Sequence, residues 1–181
     1  MSVRLFVAVD LPTFLKEQLG QLRINLKHAS WVSGNNMHLT LKFLGNVNMQ
    51  DYKALLLALN QIKHTSFELI PHGVGYFSHS NMVKVLWSGF EKNESLVSLA
   101  KQIDLITKNI GEAQKRKFHP HVTLARPKNT RLDMIVPFLQ SYSLFRTPAM
   151  TVRGFSLYSS KLTSLGSQYT KEASFELQDA V

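Results

Sequence analysis

The chain has 181 residues, with 21 Lys and Arg against 12 Asp and Glu, which gives a formal net charge of +9 at pH 7. Its 44% hydrophobic and 18% charged residues suit a chain that buries a core, which excludes a disordered polypeptide. Because it has no cysteine, disulfides, thiolate nucleophiles and Cys-ligated metal sites are excluded. The positive charge favours an anionic partner such as nucleic acid, a nucleotide or a membrane surface, although solubility alone also explains it.

The length fits one domain over residues 1–181, or two small lobes that share a core, better than two independent domains. The sequence MSVRLFVAVDLP has only a short apolar run before Asp10 and Pro12. Such a run is too short for a signal peptide or a membrane span, so we expect a soluble cytoplasmic protein without a membrane partner. We also expect the chain to act as a monomer.

Apolar periodicity predicts a mixture of strands and helices along the chain. The first half reads as strand 3–9, a helix from Pro12 with Leu15, Leu19, Leu22 and Leu26, strand 36–43, a helix with Tyr52, Leu55, Leu56, Leu59 and Ile62, and strands 66–70, 73–77 and 82–88. The second half reads as a helix from Asn93 with Leu96, Leu99, Ile103, Ile106 and Ile110, strand 120–126, a short helix 131–139 interrupted by Pro137, and strands 149–158 and 168–177. Gly111 is the expected stop of the third helix.

The connections between several strands are too short for a parallel crossover. Segments 66–88 and 149–177 are therefore predicted to be antiparallel hairpins. Helices and strands do not alternate strictly, which favours an α+β fold over a doubly wound sheet. The polar, turn-rich stretches 127–131 and 159–168 are predicted to be loops.

Two short sequences repeat one pattern of polar and apolar residues. MHLTLKFLG (37–45) contains His38 and Thr40, and FHPHVTLAR (118–126) contains His121 and Thr123; the two motifs are 83 residues apart (121 minus 38). In a strand, residues i and i+2 lie on the same face, so each motif presents an imidazole and a hydroxyl against an apolar backing. The repeat indicates two related lobes that each contribute one strand to a shared cleft.

Two histidines suit acid and base catalysis on a phosphate. Either motif alone is better explained by an ordinary half-buried strand histidine, but the pair favours function. An imidazole near its usual pKa accepts or donates a proton at physiological pH. A pair on opposite sides of a phosphate can deprotonate water and protonate the departing alkoxide, while the threonine hydroxyls donate hydrogen bonds to the phosphoryl oxygens.

Other residues offer alternatives that the sequence leaves open. A metal site of His38, His119 and His121 lacks a carboxylate ligand, so we predict no metal. Further basic residues near the motifs either contact a phosphate or belong to a solvent-exposed charged surface. They are Arg126, QKRK (114–117), Lys42 and Arg4. Trp31, Phe43 and Tyr158 are candidates for base stacking, although such residues are more often part of a core.

At these residues the chain resembles the 2H phosphoesterase superfamily, and within it the RNA 2′,3′-cyclic phosphodiesterases, also called 2′-5′ RNA ligase-like proteins. The resemblance covers nearly the whole chain and is carried by RLFVAVDLP (4–12), NNMHLTLKFLGNV (35–47), FHPHVTLAR (118–126) and FSLYSSKLTSLGSQYTKEASFEL (155–177). It implies a bilobal α+β fold, with two pseudo-symmetric lobes of antiparallel sheet and flanking helices around a central cleft.

The resemblance also implies an activity and a set of roles. The activity is metal-independent opening of a 2′,3′-cyclic phosphate at an RNA or nucleotide 3′ end, leaving a 2′-phosphate, without a cofactor. His38 would be the acid for the departing 3′ oxygen and His121 the base for water, although the sequence itself does not order the two. Thr40 and Thr123 would hold the phosphate oxygens, with Arg126 as a further contact.

Three alternatives stay open at this point. The reverse reaction would join such an end to a 5′-hydroxyl through a 2′-5′ linkage, using the same two histidines. A non-catalytic module that binds RNA or nucleotides would keep the fold without turnover. A small cyclic nucleotide or a cyclic ADP-ribose phosphate would replace the RNA end as substrate.

Overall fold

A computed structural model describes residues 2–112, 117–164 and 166–179. The strands are β1 Ser2–Asp10, β2 Ala29–Trp31, β3 His38–Asn48, β4 Phe67–Leu69, β5 Pro71–His79, β6 Met82–Phe90, β7 Val122–Pro127, β8 Thr130–Arg131, β9 Met150–Val152, β10 Gly154–Thr163 and β11 Gly166–Glu176. The α-helices are α1 Thr13–Gln21, α2 Met49–Asn60, α3 Glu94–Ile106 and α4 Val136–Ser141, with 3-10 turns at Gly34–Asn36 and Leu132–Ile135. This mixture confirms the predicted α+β class.

Nine strands of the described chain form one sheet. Its order is β11-β10-β1-β3-β7-β6-β5, with β2 paired to β7 and β8 paired to β6. The ladders between neighbouring strands are antiparallel, and β4 and β9 form a second, two-stranded sheet. The two motif strands β3 and β7 are therefore neighbours in the middle of the large sheet. The division of this chain into two lobes stays a prediction.

The helices bury one face of the sheet. Leu39 in β3 and Leu124 in β7 share a continuous core with Leu99 and Ile103 of α3. Asn93 starts α3 because its side-chain oxygen accepts a hydrogen bond from the backbone N–H of Leu96 at 2.9 Å. The apolar backing predicted for both motifs is thus present, and the opposite face of β3 and β7 is left for polar side chains. None of the helices in the described ranges is long and apolar enough to cross a membrane.

All four helices differ from the prediction at a boundary. The first ends at Gln21, before Leu22 and Leu26, and the second ends at Asn60, before Ile62. The third ends at Ile106, before Ile110 and the predicted stop at Gly111. These apolar residues are buried or partly buried against the core from outside the helices, which explains why they continue the apolar period. Pro137 lies in the first turn of α4, where its missing N–H has no helical partner to lose, so it begins this helix and does not interrupt it.

The predicted hairpins are confirmed only in part. Strands β5 and β6 form one hairpin and β10 and β11 another, but β4 pairs with the distant β9. The loop predicted at 159–168 is wrong, because both strands of the last hairpin extend into it, to Thr163 and from Gly166. The sequence missed β2 and β8, since strands of two or three residues are too short to show an alternating pattern.

Candidate active site

The four motif side chains meet where β3 and β7 pair. Leu39 is the partner of Val122 in this antiparallel ladder. The neighbouring positions follow from that register, so His38 lies beside Thr123 and Thr40 beside His121. The two histidines occupy one diagonal of this arrangement, about 7–8 Å apart or slightly less between their Cβ atoms. One threonine lies at each of the other two corners.

A β-bulge follows each motif and changes which residues face the site. Leu41 is an extra residue in β3, between the pairs Ala8–Thr40 and Val7–Lys42. Leu124 is the corresponding extra residue in β7. The burial pattern is the same in both segments: the bulged residue and its successor are buried, and the residue after them is exposed. A bulge shifts the alternation of a strand by one residue.

The shifted alternation decides the positions of the residues that follow each bulge. Lys42 turns to the helix side, and its ammonium lies 2.7 Å from a carboxylate oxygen of Asp104 with its side chain 4% exposed. Lys42 nevertheless borders the cavity, so its interpretation as a phosphate contact stays a prediction that competes with this ion pair. Phe43 and Arg126 instead lie on the face that carries the histidines, and Arg126 is exposed there.

Both histidines are held in one tautomer by the same local contact. The Nδ1 of His38 lies 2.7 Å from the carbonyl oxygen of Asn36, and the Nδ1 of His121 lies 2.7 Å from that of His119. Because a carbonyl oxygen only accepts, Nδ1 must carry the proton in each ring. In the neutral form the free lone pair is therefore on Nε2, which is the atom available for proton transfer.

An aromatic pocket surrounds His38. The ring centroid of Phe6 lies 4.8 Å from the His38 centroid, and Tyr169 is edge-on at 5.2 Å. Burial lowers the pKa of His38 from its ordinary value, and the nearby His121 and Arg126 lower it further. The Asn36 carbonyl and the carboxylate of Asp10 act in the opposite direction and favour the charged ring.

His121 lies in a second aromatic environment. Phe77 is edge-on to it at 4.9 Å, and the ring of His119 lies 6.2 Å away. Burial lowers its pKa as well; the carbonyl of His119 counteracts this, while the ring of His119 and the guanidinium of Arg126 add to it. The two histidines thus share a low pKa but differ in the charges that face them.

Asp10 is a polar residue of the site that the sequence did not single out. It is the cross-strand partner of His38 in the β1–β3 ladder. Its carboxylate accepts hydrogen bonds from Ser156 at 2.8 Å, from Lys171 at 2.9 Å and from the hydroxyl of Tyr158. Burial raises the pKa of Asp10, but these hydrogen bonds and the Lys171 charge outweigh burial and lower it overall. Only the register of β1 against β3 places this carboxylate beside His38, and register was not predicted.

A cavity of about 980 Å³ opens over this face of the sheet, which is the size of a ligand pocket. Thr40, His121, Thr123 and Arg126 line it, so four of the five predicted site residues come together there. His38 does not line the cavity, but it lies next to the lining residue Thr123 in the β3–β7 ladder.

Some of the remaining sequence candidates line the cavity, and others lie outside it or contribute to the packing of the fold. Lys42, Phe43 and Lys117 line the cavity, whereas residues 114–116 of the basic QKRK run lie outside the described ranges. Arg4 is exposed on β1 and is not a lining residue. The hydroxyl of Tyr158 is bound to Asp10, and Trp31 is partly buried against the core. Phe43 is thus the one of these three aromatic candidates that is both exposed and in the cavity.

The alternative of a three-histidine metal site has no geometric support. Among the residues that the structure describes, no group of three or more His, Asp and Glu side chains is arranged to hold a metal ion. His38, His119 and His121 all belong to the described part of the chain. Each of the two motif histidines also uses its Nδ1 for a backbone carbonyl.

The comparison with protein families gives two matched segments. The LigT-like phosphoesterase pattern matches residues 9–87 and, a second time, residues 90–169. The first segment contains His38 and the second contains His121. The repeat inferred from the two motifs therefore extends over most of the chain.

Individual relatives match over nearly their full length. The RNA 2′,3′-cyclic phosphodiesterase of Methanothermobacter thermautotrophicus is 30% identical, across 98% of this chain and 100% of the relative. The RNA 2′,3′-cyclic phosphodiesterase of Escherichia coli K12 is 32% identical, across 92% of each chain. Among solved structures, E. coli LigT complexed with 3′-AMP superposes with a TM-score of 0.81 at 27% identity, covering 98% of this chain and 99% of that one.

Proposed function

Because this chain belongs to the LigT-like phosphoesterase family, we propose that it opens 2′,3′-cyclic phosphates at RNA or nucleotide 3′ ends and leaves a 2′-phosphate. The observation that carries the proposal is the pair of histidines on one diagonal of the β3–β7 ladder, each with Nδ1 fixed by a carbonyl. This geometry leaves two Nε2 atoms for proton transfer on two sides of one phosphate. The curated relatives described above are named for this reaction.

The reaction balances with one proton accepted and one donated. The Nε2 of His121 takes a proton from water while the water oxygen bonds to phosphorus. The bond between phosphorus and the 3′ oxygen breaks, and the Nε2 of His38 donates its proton to that oxygen. The hydroxyls of Thr40 and Thr123 and the guanidinium of Arg126 stabilise the charge on the non-bridging oxygens. Exchange with solvent then restores both protonation states.

The surroundings of the two histidines support this order of acid and base. Asp10 lies opposite His38 in the β1–β3 ladder and favours its charged form. The equivalent position beside His121 is Gly89, since Ser88 pairs with Val122 and Gly89 follows it toward His121. A glycine supplies no charge, and His119 disfavours a charged His121. Arg126 disfavours the charged form of both rings, so Asp10 is the charge that supports His38 as the proton donor and His121 as the base.

The chain's own residues supply both proton transfers and the charge that faces the phosphate, so we propose a reaction that needs neither a metal nor a cofactor. The substrate class is an RNA 3′ end or a cyclic nucleotide. The structure of E. coli LigT with 3′-AMP supports a nucleotide site in this fold. The cytoplasmic location and the monomeric state stay predictions.

The test is hydrolysis of a short RNA that ends in a 2′,3′-cyclic phosphate, with a chelator present. The wild type is compared with His121→Ala and with a matched control, His64→Ala. His64 is half-buried and lies outside the cavity, and its Nδ1 also lies 2.7 Å from a backbone carbonyl, that of Thr65. We expect a 2′-phosphate product from the wild type and the control but not from His121→Ala. Absence of product from the wild type would refute the proposed activity, and loss of activity only with chelator would refute the metal-independent scheme.

A further inference from the structure

Trp87 lies on the face of the sheet that carries the candidate active site, next to His119 and His121. In the β6–β7 ladder it is the partner of Thr123, and residues directly opposite each other in an antiparallel pair share a face. The centroid of its indole lies 4.9 Å from that of the His119 ring and 6.3 Å from that of His121. These three neighbours line the cavity, whereas Trp87 is not among the described residues that do. Trp87 therefore packs against the proposed base from behind, outside the space for the substrate.

Two glycines leave the space in which the indole lies. Gly75 is the partner of Trp87 in the β5–β6 ladder, and a Cβ added there would overlap Cζ2 and Cη2 of the indole. Gly89 follows Trp87 by two residues on the same face, and a Cβ added there would lie 3.2 Å from Cζ3. Gly75 does not have a positive φ, so its backbone does not require a glycine. The space that the indole occupies is what requires it.

Four rings pack together on this side of the cavity. Phe77 lies edge-on to His119 at 5.4 Å and to His121 at 4.9 Å. Its ring centroid is 5.5 Å from that of Trp87. The carbonyl oxygen of His119 also lies 2.7 Å from Nδ1 of His121, so residue 119 contacts the proposed base through its backbone as well as its ring. The indole thus supports His121 both directly and through His119.

The packing of the fold does not explain why this residue is a tryptophan. Within the described ranges, the core and the partly buried residues packed against it do not include Trp87. Its indole N–H is buried and has no hydrogen-bond partner among the described residues, which costs free energy that a phenyl ring would not cost. In the first half, the residue opposite the motif threonine Thr40 is Ala8, so the repeated backbone folds without a large ring at that position. The shape of the indole, and not its polar atom, is therefore what the site uses.

We propose that Trp87 is a positioning residue for the reaction: its indole, lying over Gly75, holds the ring of His121 so that Nε2 faces the attacking water. This inference rests on the proposed function, because it takes His121 to be the base. Proton abstraction requires Nε2 within hydrogen-bond distance of the water oxygen, and a displacement of about 1 Å costs about 10²-fold in rate. Trp87 therefore contributes to kcat and not to the affinity for the substrate.

The experiment compares the wild type with Gly75→Ala, Trp87→Phe and the double variant on a short RNA that ends in a 2′,3′-cyclic phosphate. Gly75→Ala displaces the indole, so we expect kcat to fall by about 10- to 100-fold while KM stays the same. Trp87→Phe leaves the four rings less tightly packed, and we expect kcat to fall by about 10-fold. A phenyl ring lacks the two indole atoms that would overlap the new methyl group. Gly75→Ala should therefore have no further effect when Trp87 is already Phe.

The matched control is Gly20→Ala in α1, where an added Cβ has no atom within 4 Å, and it should leave kcat unchanged. The Tm of each variant identifies a temperature at which all of them are folded, and the kinetics are measured there.

An NMR titration of the imidazole nitrogens provides a second readout that does not require turnover. Burial lowers the pKa of His121, so the looser packing in Trp87→Phe should raise it toward its ordinary value. The rising limb of the pH profile should then move to higher pH, and the pKa of His38 should change less. The charged and titratable groups that act on His121 are the same in this variant: His119 before β7, Arg126 on β7 and His38 on β3.

Two kinetic outcomes would overturn the proposal. If the loss of kcat in the double variant equals the product of the two single losses, Gly75 acts independently of the indole. If either single variant keeps its kcat, or changes only KM, the indole does not position the base.

Equal pKa changes at His38 and His121 in Trp87→Phe would also overturn it, because the substitution would then act on the whole site. If the wild type hydrolyses nothing, the proposed function fails, and the titration of His121 in Trp87→Phe still decides whether the indole holds that ring.

Discussion

Residues 38–44 and 121–127 are two copies of one backbone segment with different side chains. Both contain a histidine, a threonine two residues later and a bulged leucine, and their burial patterns match position by position. They differ after the bulge, where Lys42 and Phe43 correspond to Ala125 and Arg126. The repeated backbone thus sets the geometry of the site, and the residues that differ between the copies set its charge and its shape.

The strands beside the two segments differ in the same way. β1 places the carboxylate of Asp10 opposite His38, whereas β6 places Gly89 next to His121. A side chain at Gly89 would be tight, because an added Cβ would lie 3.2 Å from both the carbonyl oxygen of His72 and the ring of Trp87. Packing thus favours the absence of a charged partner at His121. The two imidazoles thus face different neighbouring charges, and this difference is consistent with the proposal that His38 acts as acid and His121 as base.

The largest expected effect comes from removing the histidine that each of the two segments contains. His38→Ala and His121→Ala should each lower kcat/KM by about 10³-fold, since acid and base catalysis contributes about 10²–10⁴-fold. The double variant should be little worse than either single one, because the two groups act in one step. Steady-state kinetics on a cyclic-phosphate RNA would measure this. A double variant whose loss equals the product of the single losses would show that the histidines act independently.

The next effect tests the residues at which the two segments differ. Arg126→Ala should lower kcat by about 10²-fold, because it removes the guanidinium that we propose stabilises the phosphoryl oxygens. Arg126→Lys should recover part of that loss, since a lysine keeps the charge but not the planar, two-pronged donor. Lys42→Met is the matched control on the first segment, where the cation is buried against Asp104, and it should affect Tm more than kcat. A large fall in kcat for Lys42→Met with an unchanged Tm would place that ammonium in the reaction.

The pH dependence follows from the lowered pKa values of both histidines. The rate rises with pH as His121 loses its proton and falls as His38 loses its own. Burial holds both pKa values below 6.5, so both limbs of the kcat/KM profile of the free enzyme lie below that pH. The profile should be bell-shaped with its maximum on the acid side of pH 6.5. A single rising limb, or a maximum above pH 7, would contradict the scheme of two histidines.

The parts of this site that the sequence predicted depend on short-range spacing. His38 and Thr40, and His121 and Thr123, lie on one face because neighbouring residues of a strand alternate. The pairing of β3 with β7, the bulges at Leu41 and Leu124 and the register of β1 depend on contacts between distant segments. For this reason the burial of Lys42 and the place of Asp10 beside His38 could not be predicted from local pattern. The pairing of β4 with β9 also joins distant segments, so the sequence predicted each of them within a local hairpin.

The smallest expected effect comes from changing the charges beside His38, and it distinguishes the pKa of His38 from that of His121. Asp10 and Lys171 form a half-exposed ion pair, with side chains 44% and 46% exposed, beside His38. The titratable and charged groups around His38 are Asp10 on β1, Tyr158 on β10, Tyr169 and Lys171 on β11, and His121 and Arg126 at β7. Asp10→Asn removes the carboxylate that raises the pKa of His38, so the falling limb of the profile should move to lower pH. Lys171→Gln removes the opposing cation, so the same limb should move to higher pH.

The opposite signs distinguish an electrostatic role from a structural one. Asp10 also joins β1 to the last hairpin through Ser156, Tyr158 and Lys171, so either substitution can loosen the wall around His38. If the substitutions only loosen the aromatic residues around His38, the rate should fall at every pH in both variants. The falling limb would then not move to lower pH in Asp10→Asn and to higher pH in Lys171→Gln.

The rising limb, which reports His121, should stay in place in both variants, because Asp10 lies on the far side of β3 from β7. An NMR titration of the imidazole nitrogens, in which only His38 shifts and the two variants shift it in opposite directions, would show that its pKa is set by the charge of Asp10. Shifts of the same sign, or equal shifts at His121, would instead show that the Asp10 cluster serves only to hold the hairpin against β1.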